Sequence, residues 1–238
     1  MKDRNFTIVS VALDSGGIAA VRDWIRPAEP SQIPPPLRDI MGWGEMECSR
    51  AAMPTYPCLI DEKHLVAELY NMTNVPMGVW IDETGRIVRP AEPAGATDGF
   101  RSMDRATFQM PAQLADEGRV ARKRYVDALR DWVERGDASS YALPADEVRK
   151  RVEGLSETDA LAAANFRLAQ YLHNQGRTER ARHYFDRAFR LCPESWHYLR
   201  QALELEETGK ASGPEFFAAV DALGERRYYP QVVFKAEK

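Results

Sequence analysis

The sequence predicts an α/β fold followed by an α-helical C-terminal region, on three observations. Phe6-Thr7-Ile8-Val9-Ser10-Val11-Ala12-Leu13 is rich in β-branched residues and apolar on both faces, the composition of a buried, parallel strand. Val75-Pro76-Met77-Gly78-Val79-Trp80-Ile81-Asp82-Glu83-Thr84-Gly85-Arg86-Ile87-Val88-Arg89 sets two short apolar runs on either side of a turn ending in Gly, which reads as a β-hairpin. From Pro111 onward apolar residues recur mainly at helical spacing.

In chain order, Asp14-Ser15-Gly16-Gly17 ends the first strand and Ile18–Ile25 reads as a short helix that Asp14 or Ser15 can cap. The glycines fit neither nucleotide-binding fingerprint, so a turn is the reading. Pro27–Pro36 holds five prolines and is a loop. Arg38–Ala52 reads as a helix broken by Gly42 and Gly44. Pro57-Cys58-Leu59-Ile60 is a short strand, and Glu62–Asn71 a helix with Leu65, Val66 and Leu69 as its buried stripe. After the hairpin, Pro90–Phe100 reads as loop.

Pro111 sits at the start of a long helix to Arg135, with Leu114, Ala121, Tyr125, Leu129 and Trp132 on one face and Gly136 as its stop. Ala138–Pro144 is a polar linker, so the sequence divides into an α/β unit over 1–110, a connecting helix and linker over 111–143, and a helical unit over 144–238. The apolar tail Tyr228-Tyr229-Pro230-Gln231-Val232-Val233-Phe234 is expected to pack back on a groove.

Helix, short loop, Val-Pro, strand, Asp-x-x-Gly, Arg-Ile-Val resembles the second half of a thioredoxin-like domain, most nearly the ResA/TlpA type of bacterial redoxin. The resemblance covers roughly residues 5 to 100 and is most specific over Tyr56–Arg89. It implies a cis Val75-Pro76 bond forming an active-site wall, and thiol–disulfide oxidoreduction as the parent activity. The redox motif of that family belongs upstream of Phe6–Leu13, and no two cysteines here are separated by two residues. On this resemblance the sheet is truncated. It lacks the central strand between the strand matching Phe6–Leu13 and the strand matching Met77–Asp82. Either those two strands pair directly, or another copy covers the edge, or Met1 is a start placed too late. The last is the expectation.

In the C-terminal unit, Leu168, Ala169, Gly176, Ala181, Phe185, Ala188 and Pro193 sit at the offsets of one tetratricopeptide repeat. Small residues there let two antiparallel helices approach closely. Pro193–Thr208 and Pro214–Leu223 read as a weaker second repeat. An array this short must lean on another part of the chain, since about three repeats are needed for stability alone.

With 238 residues, a net charge of −4 and 29% charged residues, the chain does not have the basic character of a nucleic-acid binder. The basic clusters Arg119–Arg124 and Arg149-Lys150-Arg151 have acidic neighbours and read as solvated helix faces. No apolar run is long enough to span a membrane, and Met1–Ser10 has no signal core. A cytoplasmic location follows as written, an extracytoplasmic one if an upstream segment is missing.

Three cysteines are no disulfide framework. Cys58, inside a strand, reads as a small apolar residue. Cys48, beside Arg50, is the better thiol candidate, and a Cys48–Cys58 pair stays open. Cys192 reads as structural. His64, His173, His183 and His197 lack metal-binding spacing and read as surface or helix-interface residues. Asp61, Asp82 and Glu83 read as turn and cap chemistry. No catalytic, metal or cofactor set is assembled.

The sequence therefore leaves two functional expectations. One is a thioredoxin-like protein that is inactive as written. The other is a non-catalytic scaffold binding a peptide or partner protein through its helical region, with a homodimer as a further alternative.

Overall fold

The computed structural model describes residues 4–25, 29–33, 35, 38, 43–51, 56–152 and 156–234. The fold is mixed α/β, with two small sheets and a helical C-terminal region. Strand β1 (Ser10–Ala12) pairs in parallel with β2 (Cys58–Ile60), Ser10 opposite Cys58 and Ala12 opposite Ile60. The ladder is shorter than the apolar run that suggested it, because β2 offers three residues. Phe6–Val9 lie outside it, with Ile8 and Val9 exposed rather than buried. Between the two strands come α1 (Gly17–Ile25), a 3-10 turn at Pro30–Gln32 and α2 (Glu45–Ala51). Parts of the Pro27–Pro36 loop, and Gly42 of the expected helix break, lie outside the described residues.

Helix α3 (Leu65–Leu69) is shorter than expected and turns a different face inward. Leu65 is 47% and Leu69 71% exposed, whereas Ala67 is 1% exposed. A methyl group is what fits where this helix meets the C-terminal helices. Asp61 starts the helix: its carboxylate accepts from the backbone N–H of Leu65 (2.8 Å), Val66 (2.7 Å) and Ala67 (3.2 Å). These amides are otherwise orphans of the first turn.

The hairpin is formed by β3 (Met77–Ile81) and β4 (Ile87–Pro93), antiparallel. Asp82 organises its turn, accepting at Oδ1 from the Thr84 and Arg86 amides, both at 2.9 Å, while Gly85 takes the left-handed φ of +84°. Strand β4 runs past Arg89 to Pro93 where a loop was expected; it pairs on one side only, a setting that tolerates Pro90 and Pro93. The Val75-Pro76 peptide bond is cis. The β1 and β3 strands do not pair: the described strands form two separate two-stranded sheets, so direct closure of the sheet is not the arrangement adopted.

Helix α4 (Ala112–Arg135) follows Pro111 and ends at Gly136, with φ +56°. Its Tyr125 and Ala128 close a core with Trp80, Val88 and Phe234. Helix α5 (Ala145–Val152) leads to α6 (Glu157–Asn174), α7 (Thr178–Leu191), α8 (Trp196–Glu206) and α9 (Pro214–Asp221). Ser156 and Asp159 form a capping box at the start of α6. Ala162, Ala169, Ala181 and Ala188 are fully buried with Phe166 and Phe185 between α6 and α7, which is how small side chains allow close antiparallel packing. A second core holds Trp196, Leu203, Phe216, Phe217, Val220 and Tyr228, with Phe100 and Met103 packed on it. The apolar tail ties these regions together, Tyr228 entering this core and Phe234 the hairpin core.

Candidate functional site

The residues that the resemblance singled out lie at the surface. Val75 and Pro76 are exposed. The Val75 N–H is held by its neighbour Asn74 Oδ1 (2.8 Å), and the Val75 carbonyl accepts from the Tyr229 hydroxyl (2.7 Å). Cys48 is buried on α2, and Cys58 on β2 is half-buried and directs its thiol to the Tyr56 carbonyl at 3.6 Å. All three cysteines are free thiols, so Cys48 and Cys58 are not bonded to each other. The basic cluster on α4 is ion-paired, Arg119 with Asp116 and Lys123 with Asp127.

The chemistry-bearing side chains converge instead at the junction of α3 with α6 and α8. His64, immediately before α3, takes a left-handed φ of +53°, uncommon for a non-glycine residue. Its ring is 3% exposed, meets Phe166 edge-on at 4.9 Å and stacks on His197 of α8 at 5.5 Å and 19°. His64 Nε2 lies 3.2 Å from Gln201 Oε1. An amide oxygen only accepts, so His64 carries its proton on Nε2. The same oxygen accepts from the Ser15 amide at 3.0 Å. Gln170 of α6 donates to the Ser15 hydroxyl and to the Glu62 carbonyl, and Arg167 pairs with Glu68. At this junction the helical region leans on the α/β unit through two glutamines, an ion pair and stacked imidazoles, in addition to the contact of Phe100 and Met103 with the Trp196 core.

Beside this contact lies a cavity of about 160 Å³, lined by His64, Ala67, Phe166, His197, Tyr198 and Cys192 among others. Burial lowers the His64 and His197 pKa values below the ordinary imidazole range, that of His197 to about 3, with the His64 ring a second cause. Burial pushes the Cys192 thiol up to about 12. That thiol lies 3.0 Å from Ser195 Oγ, 3.2 Å from Glu194 Oε1 and 3.6 Å from Asp159 Oδ1, and stays protonated among them. Asp159, Cys192 and Glu194 are the described residues grouped closely enough to hold a metal ion, within 4.8 Å of one another; the Asp159 carboxylate already closes the capping box.

No known protein family, curated protein or solved structure matches the chain.

Spacing in the sequence did not expose this junction, because its members are far apart: 137 residues separate His64 from Gln201. A weaker signal was present in the unusual polar residues Gln170, His197 and Gln201 within helices otherwise patterned for burial. Among the described residues, no helix is long and apolar enough to cross a membrane.

Proposed function

We propose that this chain is a non-catalytic interaction scaffold, a thioredoxin-like α/β unit braced by a tetratricopeptide-like helical region whose outer face receives an amphipathic helix of a partner protein. The observation that carries this reading is an apolar stripe on α6. Leu161 is 44% exposed, Leu168 38% and Tyr171 61%, and the exposed Ala164 lies between them. Positions i, i+3, i+7 and i+10 fall on one side of a helix, the spacing that ridges-into-grooves packing uses. An apolar stripe on the exposed side of a helix whose other side is already packed in the core fits a protein-binding surface. The thiols argue in the same direction. Cys48 is buried and burial holds Cys192 protonated, so neither has the exposed thiolate character that exchange requires.

The test is a panel of amphipathic helical peptides titrated against the chain, with insulin reduction by dithiothreitol measured in parallel. Saturable binding that Leu168→Asp abolishes, without turnover, is the expected result. Turnover that Cys48→Ser or Cys58→Ser removes would replace the scaffold reading with a redox one.

A further inference from the structure

We propose that the stacked His64–His197 pair is an acid-sensitive latch: proton uptake at these rings opens the junction of α3 and the Ser15 turn with α6 and α8, while the contact of Phe100 and Met103 with the Trp196 core stays closed. The geometry carries the argument. One ring comes from each side of the junction, and their centroids are 5.5 Å apart with the planes 19° from parallel. His64 Nε2 is spent on Gln201, and His197 is hydrogen-bonded to the Thr73 backbone. The remaining nitrogen of each ring, Nδ1, is buried without a hydrogen-bond partner. In the neutral rings those atoms are lone pairs, whose burial the junction tolerates. A proton on either one creates a buried N–H with nothing to receive it. Protons on both create two like charges face to face in a low-dielectric space.

The surrounding charges do not relieve this. On the α/β side the carboxylate acting most strongly on His64 is Asp61, and both its oxygens are committed to the first amides of α3. Asp14 accepts from the Gly16 amide, Glu68 is paired with Arg167, and Glu62 and Lys63 complete that side. On the helical side, Asp159 and Glu194 surround the Cys192 thiol, and Tyr198 stays neutral because burial raises its pKa. Asp14 and Asp61 act on His64 in the stabilising direction, but its burial outweighs them. Opening the junction hydrates both rings at once, and it frees the inner faces of α6 and α8 that Gln170 and Gln201 now hold against Ser15, Glu62 and His64. The inference does not depend on the partner-binding role of the outer face of α6.

Small-angle scattering of the full chain between about pH 8 and pH 4.5, with far-UV circular dichroism alongside, tests it. The expected result is a larger radius of gyration in acid at constant helical content. His197→Phe keeps an aromatic face without the titrating nitrogens and is expected to move the transition by at least about one pH unit toward acid. An unchanged radius, an expansion accompanied by loss of helix, or a His197→Phe profile identical to the parent would overturn the latch. Should that variant not fold, the ring-proton NMR titration of the parent decides. Titration of His64 and His197 near the ordinary value of about 6.5 overturns the proposal, and titration well below it supports it.

Discussion

Trp80 donates its indole N–H to the hydroxyl oxygen of Tyr125 at 2.9 Å, joining the hairpin to α4, and the two rings meet edge to face at 5.8 Å. Both side chains are buried, and burial holds the Tyr125 hydroxyl neutral, its pKa raised to about 12. Tyr125→Phe keeps the packing and removes the acceptor, leaving a buried N–H unsatisfied. The expected loss is about 1–3 kcal/mol. It is read as a lower denaturation midpoint with an unchanged slope.

Gly78 belongs to the same contact. A Cβ built there would lie 2.6 Å from the Tyr125 hydroxyl oxygen and 3.7 Å from the Ala94 Cβ. The hydroxyl cannot swing aside, because the ring is packed and bonded to Trp80. Gly78→Ala is expected to cost about 1–3 kcal/mol by overpacking. In the Tyr125→Phe background the clashing atom is gone and the cost falls. A double-mutant cycle measures this, and additivity within about 0.3 kcal/mol would mean that the hydroxyl is not what constrains this glycine.

Arg89 is almost fully buried and forks onto Glu92, Nε to Oε1 at 2.6 Å and Nη2 to Oε2 at 2.7 Å. Its Nη1 donates to the Tyr141 carbonyl at 2.8 Å, and its Cζ lies 4.9 Å from the Phe234 ring centre. Glu92→Leu strands a guanidinium in the hairpin core, at an expected cost of about 3–5 kcal/mol. Arg89→Met with Glu92→Leu removes both charges, and this double variant is expected to be more stable than Glu92→Leu alone in urea unfolding. The opposite order would show that the packing of the Arg89 stem, rather than its charge, holds this core.

Much of this architecture was legible where local chemistry decides it. The hairpin followed from Asp82 and Gly85, α4 from Pro111 and Gly136, and the α6–α7 pair from alanines at packing distance. What the sequence hid depends on neighbours. Leu65 and Leu69 look like a core stripe, but the approach of α6 and α8 makes Ala67 the inward residue. Pro90 and Pro93 look like loop, but a strand paired on one side accommodates them. The apolar stretch Phe6–Leu13 forms strand only where β2 reaches it. The junction was least legible, because Ser15, His64, Gln170 and Gln201 carry no spacing signature and meet only when the two regions dock.

Gln201 offers the sharpest test of how that junction responds to pH. Its Oε1 accepts from Ser15 and His64, while its Nε2 is buried without a partner. Gln201→Glu keeps both acceptor bonds, deletes the unpartnered NH₂ and sets a negative charge against the His64 Nε2–H. In the parent the folded-state pKa of His64 is depressed by burial, so its contribution to stability is complete above the unfolded value of about 6.5 and is lost as pH falls. In the variant the carboxylate favours the imidazolium and raises the folded pKa. Once it exceeds the unfolded value the sign reverses: the added stability is complete below about pH 6.5 and is lost as pH rises through the new folded pKa. Thermal midpoints between about pH 8 and pH 5 therefore fall toward acid in the parent and flatten or rise in the variant. Parallel profiles would mean that His64 does not govern the acid response of this junction, whereas crossing profiles place that response on the His64–Gln201 contact.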